Sequence, residues 1–341
     1  METSELAEPQ LTKEQAGVEV PTFEDVKSAA IQIMGKAVRT PMLESAALNA
    51  HTGGRVLIKP ECLQRTGSFK FRGAYNRISR LGREAREGGV VAYSSGNHAQ
   101  GVAAAAQLRG LPAMIVMPED TPSIKVNNTR NYGAEVVFYD RQNEDREAIG
   151  QAIANERGAV LVPPYDDPFI IAGQGTAGFE LAQDIAARGI KPESLLASAS
   201  GGGLLAGISL AFSALLPETK LYSMEPEGFD DHKRSFASGV REKNELRGGS
   251  ICDSLLSERP GELTFAITQK RVTGGLSVSE DEVRAAVRYA FETLKLVVEP
   301  GGAVALAAVL ARKIECADRT TAIVLSGGNV DGGLFAEIVG G

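Results

Sequence analysis

A single lysine, Lys70, lies between two phenylalanines in the run Thr66-Gly67-Ser68-Phe69-Lys70-Phe71-Arg72-Gly73-Ala74. The apolar stretch Val56-Leu57-Ile58-Lys59 before it has strand character, and Ala74 to Leu81 after it has helix character. An amine at the first turn of a helix, packed on aromatic rings, loses solvation and faces the positive helix end. Both effects disfavour the ammonium form. Such an amine deprotonates more readily and suits imine formation with a carbonyl compound. A lysine that only lays its stem along a phenylalanine satisfies the same pattern, so the run needs support from elsewhere in the chain.

That support comes from Ser94-Ser95-Gly96-Asn97-His98, Ser200-Gly201-Gly202-Gly203 and Ser326-Gly327-Gly328-Asn329. Each follows an apolar strand-like run, and the first two also open a helix-like segment. Glycine there lets backbone N–H groups point at an anion, and the helix dipole favours the negative charge. Ser200 to Gly203 is the best phosphate cradle in the chain. None of these turns is a G-x-G-x-x-G or Walker loop, so a dinucleotide or ATP fingerprint is absent. A tight turn that simply needs small residues is the plain alternative for any one of them.

The elements that must position these turns alternate regularly. Phe23 to Met34 reads as an amphipathic helix with Thr22 as N-cap and Asp25 as its capping-box partner. Strands are expected at Val90–Tyr93, Ala113–Met117, Ala134–Phe138 and Ala159–Val162, with helices at Ala99–Leu108, Ile124–Tyr132 and Asp145–Arg157 between them. Further on, helices are expected at Thr176–Arg188, Leu204–Leu215, Glu280–Leu294 and Ala303–Lys313. Strands are expected at Leu195–Ser198, Lys220–Met224 and Thr321–Leu325. This spacing implies parallel sheets of βαβ units, in which ligands bind outside the carboxyl ends of strands. Asp230 to Thr273 reads as irregular and polar.

Composition narrows the function classes. The chain has 341 residues, 43% hydrophobic and 23% charged, an ordinary globular balance with room for a large core. Its net charge of −7 and the lack of a basic run leave no footprint for nucleic acid or an anionic membrane. Cys62, Cys252 and Cys316 have no CxxC spacing, and His51, His98 and His232 are scattered, so neither a zinc site nor a disulfide framework is expected. No apolar run approaches the ~20 residues of a membrane span. Residues 1–20 are acidic, lack a signal pattern and read as a loose tail, so a cytoplasmic location is expected.

An imine-forming lysine, a phosphate cradle and a polar turn for a ring nitrogen together describe a site for pyridoxal phosphate. The sequence resembles the fold-type II pyridoxal phosphate enzymes, specifically the serine/threonine dehydratase and serine racemase group. The matching runs include Lys59-Pro60-Glu61, Gln64 to Ala74, Ser94 to Gln100, Tyr132 to Val137, Ile171 to Thr176, Ser200 to Gly207, Glu299-Pro300 and Ser326 to Val330. They span nearly all of the chain after residue 35. The resemblance implies a two-domain α/β fold like that of tryptophan synthase β, each domain a mainly parallel sheet flanked by helices. It divides the chain into a small domain, 86–163, and a large one, 1–85 with 164–341, with the cofactor between them.

The resemblance also implies roles. Lys70 would hold the cofactor as an imine and move the α-proton, with Phe69 packing beside the cofactor. Ser200, Gly201, Gly202 and Gly203 would bind the phosphate; Ser200 stands where the family usually has the first of four glycines. Asn97 would contact the 3'-oxygen, Glu299 would lie near the cofactor, and Ser326 would face the ring nitrogen. A serine, unlike a carboxylate, does not keep that nitrogen charged, which suits elimination. Ser94, Ser95 and Gly96 would receive the substrate carboxylate. In racemases of the group, a serine at the place of Ser95 works on the ring face opposite the lysine. Glu225, the Phe229 carbonyl and Asp231 would ligate Mg²⁺, Mn²⁺ or Ca²⁺, hard cations that take oxygen ligands; a solvated acidic turn is the alternative.

The expected reaction is α,β-elimination from serine, threonine or 3-hydroxyaspartate, giving a 2-oxo acid and ammonia. Pro164 to Asp167 and Ser254 to Glu262 are expected as side-chain walls, and Arg65, Arg72 and Arg146 are candidates for a second carboxylate. The chain ends at Gly341 soon after the last motif, so no regulatory domain is expected, as in a catabolic or specialised enzyme. Expected partners are a small-molecule amino acid and a second copy of the chain, with no nucleic acid or membrane. The alternatives are an amino acid racemase with side lyase activity, a β-replacement synthase, which the Ser95-Gly96-Asn97-His98 turn disfavours, and a non-enzymatic cofactor-binding protein.

Overall fold

The computed structural model describes residues 19–341 apart from 83, 84, 95, 122 and 247, and apart from the side chains of 86 and 124. The expected tail therefore lies almost wholly outside the described residues. The strands in chain order are β1 (Leu43–Glu44), β2 (Arg55–Pro60), β3 (Val90–Tyr93), β4 (Ala113–Pro118), β5 (Glu135–Tyr139), β6 (Val160–Leu161), β7 (Ser194–Ser198), β8 (Lys220–Pro226), β9 (Gly274–Val278) and β10 (Thr320–Leu325). One sheet has the order β1-β2-β10-β7-β8-β9 and the other β5-β4-β3-β6. Every described pairing within them is parallel except that of β1 with β2.

Both sheets carry helices on both faces, which the alternation of side chains along a strand dictates. Val56, Ile58, Ile323 and Leu325 pack in one cluster with Ala303 to Val309 of the helix Pro300–Leu310. Leu57, Ala322 and Val324, on the opposite face, pack with Leu181 and Ile185 of Pro168–Ala187 and with Leu205 and Ile208 of Gly203–Leu215. In the second sheet, Val90, Ala92 and Ile115 meet the alanine face of Asn97–Arg109. Val91, Tyr93 and Val116 meet Ala154, Ile149 and Ile153 of Arg146–Arg157 on the other side.

The structure departs from the sequence expectations in specific places. The lysine helix begins at Lys70 itself, not at Ala74, and runs to Ile78. The helix expected from Thr176 begins at Pro168. Asp167 caps it by accepting from Phe169 N and Ile170 N at 2.9 Å each, and Pro168 occupies its first turn, where no N–H partner is needed. Gly173-Gln174-Gly175, which stand before the expected start of the helix, lie inside it. They let it approach Gly203–Leu215 closely enough that a Cβ on Gly207 would strike the Gly175 backbone. The stretch expected to be irregular contains the helices Asp231–Ser238 and Glu262–Thr268. The final turns of the helix expected to run to Leu294 are a π-turn, Ala290–Leu294, after Glu280–Tyr289. At the amino end, Asp25 Oδ2 accepts from the Thr22 N–H at 2.8 Å, the acidic half of a capping box, and from the Thr22 hydroxyl at 2.8 Å. Among the described residues no helix is long and apolar enough to cross a membrane.

Candidate active site

Sheet order explains why turns far apart in sequence meet. β2, β10 and β7 are neighbours, so the Lys70 loop, the Ser326 turn and the Ser200 turn leave adjacent carboxyl ends. Backbone bonds lock the first two together. Ser68 bridges Gly327, Phe69 N donates to Ser326 O at 3.1 Å, and Gly328 N donates to Gly67 O at 2.8 Å. The Asn329 side chain donates to Thr66 O at 2.7 Å and to Asn97 Oδ1 at 2.7 Å, joining the turn after β3 to the same assembly.

These ends enclose a cavity of about 1040 Å³, lined among others by Lys70, Asn97, Ser200, Glu299 and Ser326. The Lys70 amine donates to Pro164 O at 2.8 Å and lies 5.2 Å from the Phe69 ring centroid. Burial lowers its pKa to about 8, against a partial offset from Glu299. Phe71, by contrast, turns away into the core and stacks on Tyr75, so only one of the flanking aromatics belongs to the site.

Glu299 is only 3% exposed and is the N-cap residue of Pro300–Leu310, yet its side chain does not cap that helix. Its Oε1 accepts from Asn97 Nδ2 at 2.6 Å. Burial, with Asp253 nearby, pushes its pKa up to about 8, against the Asn97 bond and the cations Lys125 and Lys70. Ser326 Oγ accepts from Ser198 Oγ at 3.1 Å, leaving the Ser326 hydrogen to be directed into the cavity. Ser94 Oγ accepts from Gly96 N at 3.3 Å, and Gly96 is the N-cap of Asn97–Arg109. Ser95 lies outside the described residues.

Ser200 to Gly203 leads into Gly203–Leu215, whose first N–H groups have no intrahelical acceptors. Gly202 has φ 92°, a left-handed backbone that favours glycine. The loop is held from behind. His232 Nε2 donates to Ser200 O at 2.8 Å, Thr264 Oγ1 donates to Gly201 O at 2.6 Å, and Ser200 Oγ lies 2.7 Å from Ser257 Oγ.

In the acidic run, Glu225 near the end of β8, Phe229 and Asp231 are buried, whereas Glu227 and Gly228 at the turn's tip are exposed. Glu225 accepts from His232 N at 2.8 Å and Lys233 N at 2.9 Å. Burial first, and then Asp231, pushes its pKa well up. Asp231, 1% exposed, accepts from Asn244 at 2.6 Å through Oδ1, while Oδ2 is buried without a hydrogen-bond partner. Burial raises its pKa to about 7. Phe229 is buried in the same turn. Two buried carboxylates with hydrogen bonds but no ion-pair partner among the described residues, one with an orphaned oxygen, fit a divalent cation, since such charges stay buried only when paired or metal-bound. No group of three or more His, Cys, Asp or Glu side chains converges among the described residues, so a ligand set here must draw on backbone oxygen or water.

Several expectations need correction. Pro164 and Tyr165 line the cavity, but Asp166 caps Glu262–Thr268 by accepting from Glu262 N and Thr264 N, and Asp167 is the cap described above. Ser254 to Glu258 form the wall expected from that segment. Of the candidate arginines, only Arg146 lines the cavity, its guanidinium 5.6 Å from the Tyr93 ring centroid. Arg72 is fully buried against Glu61 and Glu180, and Arg65 bonds Lys36 O at 3.0 Å on the surface. Sequence reasoning missed His98 as a site residue, although it stands in a turn already singled out. Its Nε2 bonds Val162 O at 2.9 Å and its Nδ1 is buried without a partner. Burial, and then Lys70, holds its pKa down at about 3, so the ring is neutral.

The fold and these converging turns define an enzyme built around a carbonyl cofactor that carries a phosphate. The chain belongs to the pyridoxal-phosphate dependent enzyme family, whose model matches residues 33–327. It is 44% identical over 324 residues to an L-threo-3-hydroxyaspartate ammonia-lyase from a Pseudomonas species, covering 95% of this chain and 100% of the relative. It is 42% identical over 323 residues to the enzyme of the same name from Saccharomyces cerevisiae, covering 94% of this chain and 97% of that one. The solved structure of maize serine racemase superposes with a TM-score of 0.88 at 35% identity, over 94% of this chain and 97% of that one. The architecture is that of the fold-type II pyridoxal phosphate enzymes. The residues present fit the cofactor. A cavity-facing amine with lowered pKa suits its aldehyde, and a glycine turn at a helix start suits its phosphate.

Proposed function

We propose that this protein removes water from a β-hydroxy amino acid, the α-proton and β-hydroxyl leaving together, and that the released enamine takes up water to give a 2-oxo acid and ammonia, with 3-hydroxyaspartate, threonine or serine as substrate. The observation that carries the proposal is the half-buried Lys70, which lines the same cavity as the Ser200 turn, with a serine, not a carboxylate, at position 326. Pyridoxal phosphate supplies an electron sink for the bond pair released at the substrate α-carbon. Lys70 Nζ takes the α-proton, and burial keeps a usable fraction of the amine unprotonated. The Ser326 hydroxyl, which accepts from Ser198, would meet the ring nitrogen without adding charge. Gly201, Gly202 and Gly203 would hold the phosphate with Ser200, while Asn97, clamped between Glu299 and Asn329, would address the 3'-oxygen. Phe69 packs beside the cofactor. Ser94, Ser95 and Gly96 receive the substrate carboxylate at the start of Asn97–Arg109.

Arg146 is a cavity residue suited to a second carboxylate, since Arg141 and Lys125, which also line the cavity, are paired with Asp120 and Asp253; this favours 3-hydroxyaspartate among the three substrates. Glu225, Asp231 and the Phe229 carbonyl would hold Mg²⁺, Mn²⁺ or Ca²⁺. The same reading takes 86–163 as the small domain, 1–85 with 164–341 as the large one, and a homodimer in the cytoplasm as the working form. The likeness to serine racemases supports a second reading, racemisation, in which Ser95 serves the face opposite Lys70.

The test is a panel of serine, threonine and all 3-hydroxyaspartate stereoisomers, assayed for 2-oxo acid with and without Mg²⁺. Turnover of at least one that depends on Lys70 is expected; no 2-oxo acid from any of them would end the proposal. D-serine formed from L-serine, and lost in Ser95→Ala, would establish the second reading.

A further inference from the structure

The acidic turn and the phosphate loop are joined by two separate hydrogen-bonded arms that both end on Ser200. The first arm starts at Glu225, which accepts from His232 N at 2.8 Å; the His232 ring then donates through Nε2 to Ser200 O at 2.8 Å. The second starts at Asp231, whose Oδ1 accepts from Asn244 Nδ2 at 2.6 Å. Asn244 Nδ2 also donates to Ser257 O at 2.9 Å, and Ser257 reaches Ser200 Oγ through its hydroxyl at 2.7 Å and its N–H at 3.3 Å. Asn244 cannot swing freely, because Arg234 donates to its Oδ1 at 2.6 Å. The peptide bond between Asp231 and His232 closes the two arms into one ring. The second arm depends on the Ser200 hydroxyl, since a glycine there would offer Ser257 nothing to bond.

Building on the cofactor and cation placement above, we propose that Ser200 is a positioning residue that couples a divalent cation at Glu225 and Asp231 to retention of the pyridoxal phosphate. The cation engages Asp231 Oδ2, which is buried and has no partner of its own. It thereby fixes the carboxylate whose other oxygen orients Asn244 and, through it, Ser257 and Ser200. A phosphate loop ordered in advance pays less entropy when it closes on its anion, so the two ligands favour each other reciprocally. The arm through His232 contributes the part of the coupling that does not need the Ser200 side chain.

The experiment follows loss of bound cofactor from the holoenzyme on dilution, read by absorbance, in EDTA and in saturating Mg²⁺. In the unaltered protein Mg²⁺ is expected to slow the loss on the order of tenfold, within the usual range of coupling energies. In Ser200→Gly the ratio of the two rates is expected to fall to about twofold. Ser257→Ala, which keeps the N–H bond, falls between them. A ratio near one in the unaltered protein overturns the proposal. So does an undiminished ratio in both variants, because a purely through-space attraction between cation and phosphate survives loss of the hydroxyl. The assignment of Lys70 is checked separately by borohydride, which reduces an imine to a stable attachment. Its absence overturns the cofactor reading, whatever the ratio.

Discussion

Two buried ionic clusters start from the same short helix, Lys70–Ile78, and they are built on opposite terms. Arg72 reaches Glu61 at 2.7 Å and Glu180 at 2.8 Å, Lys59 reaches Glu180 at 2.6 Å and Thr40 O at 2.7 Å, and Thr40 donates to Glu61 at 2.6 Å. Burial works against Glu61's charge, but Arg72 outweighs it and holds the carboxyl below its ordinary range. Every charge there has a counter-charge in contact. The cavity cluster two residues away is unfinished. Among the described residues Lys70 has a carbonyl and no carboxylate as its bonded partner and Glu299 has only an amide, and both are driven toward neutrality by burial. The comparison separates a scaffold, whose polar groups are satisfied within the chain, from a site, whose polar groups are left for a ligand.

The largest effect is expected from the unfinished cluster. Lys70→Ala should reduce 2-oxo acid release by roughly 10⁴-fold, at the upper end for a lost proton-transfer group, with the circular dichroism spectrum unchanged. Retained turnover would mean that another base takes the α-proton. The finished cluster should answer in stability instead. Arg72→Met leaves Glu61 and Glu180 buried without their main partner and is expected to cost about 3–5 kcal/mol in denaturant unfolding. A loss under about 1 kcal/mol would show that water reaches these carboxylates.

A smaller effect concerns substrate choice. Arg146→Ala should raise KM for 3-hydroxyaspartate on the order of tenfold while changing that for serine little, because only the former offers a second carboxylate for a charge-assisted bond. Equal changes for both would place the arginine in a general structural role. The smallest effect is a pH dependence of the cofactor-free protein. Glu299's pKa rises from 4.5 to about 8 on folding, so the folded state binds the proton more tightly. The resulting stabilisation is fully present below about pH 4.5 and is lost as pH rises toward 8. Glu299→Gln should therefore flatten the decline of stability over that window, by at most ~1.4 kcal/mol per pH unit. An unaltered slope would assign the decline to other carboxylates.

The legible parts of this molecule are those in which neighbours in sequence are neighbours in space. Lys70 at a helix start, the strand-to-helix turns at Ser94 and Ser200, and the alternation of apolar strands with amphipathic helices all follow from local periodicity and turn chemistry. The parts misread are those where tertiary contact overrides local preference. β9, Gly274–Val278, is not among the expected strands, yet it pairs along β8 at the sheet edge. The glycines before Thr176 mark close helix packing, and Asp166 and Asp167 proved to be helix caps.

By itself the sequence determined the chemical vocabulary: one lysine poised for imine formation, a glycine cradle, a serine where another enzyme would place a carboxylate, and an acidic turn. Only the tertiary structure decided which of these groups are left unsatisfied. Sheet order brings residues 70, 97, 200, 299 and 326 around one cavity. Burial then sets their protonation, sends Arg72 to the scaffold and Arg146 to the cavity, and ties Ser200 to Asp231 through Asn244 and Ser257. Desolvation and hydrogen-bond closure depend on everything packed around a group, and no window of sequence contains that information.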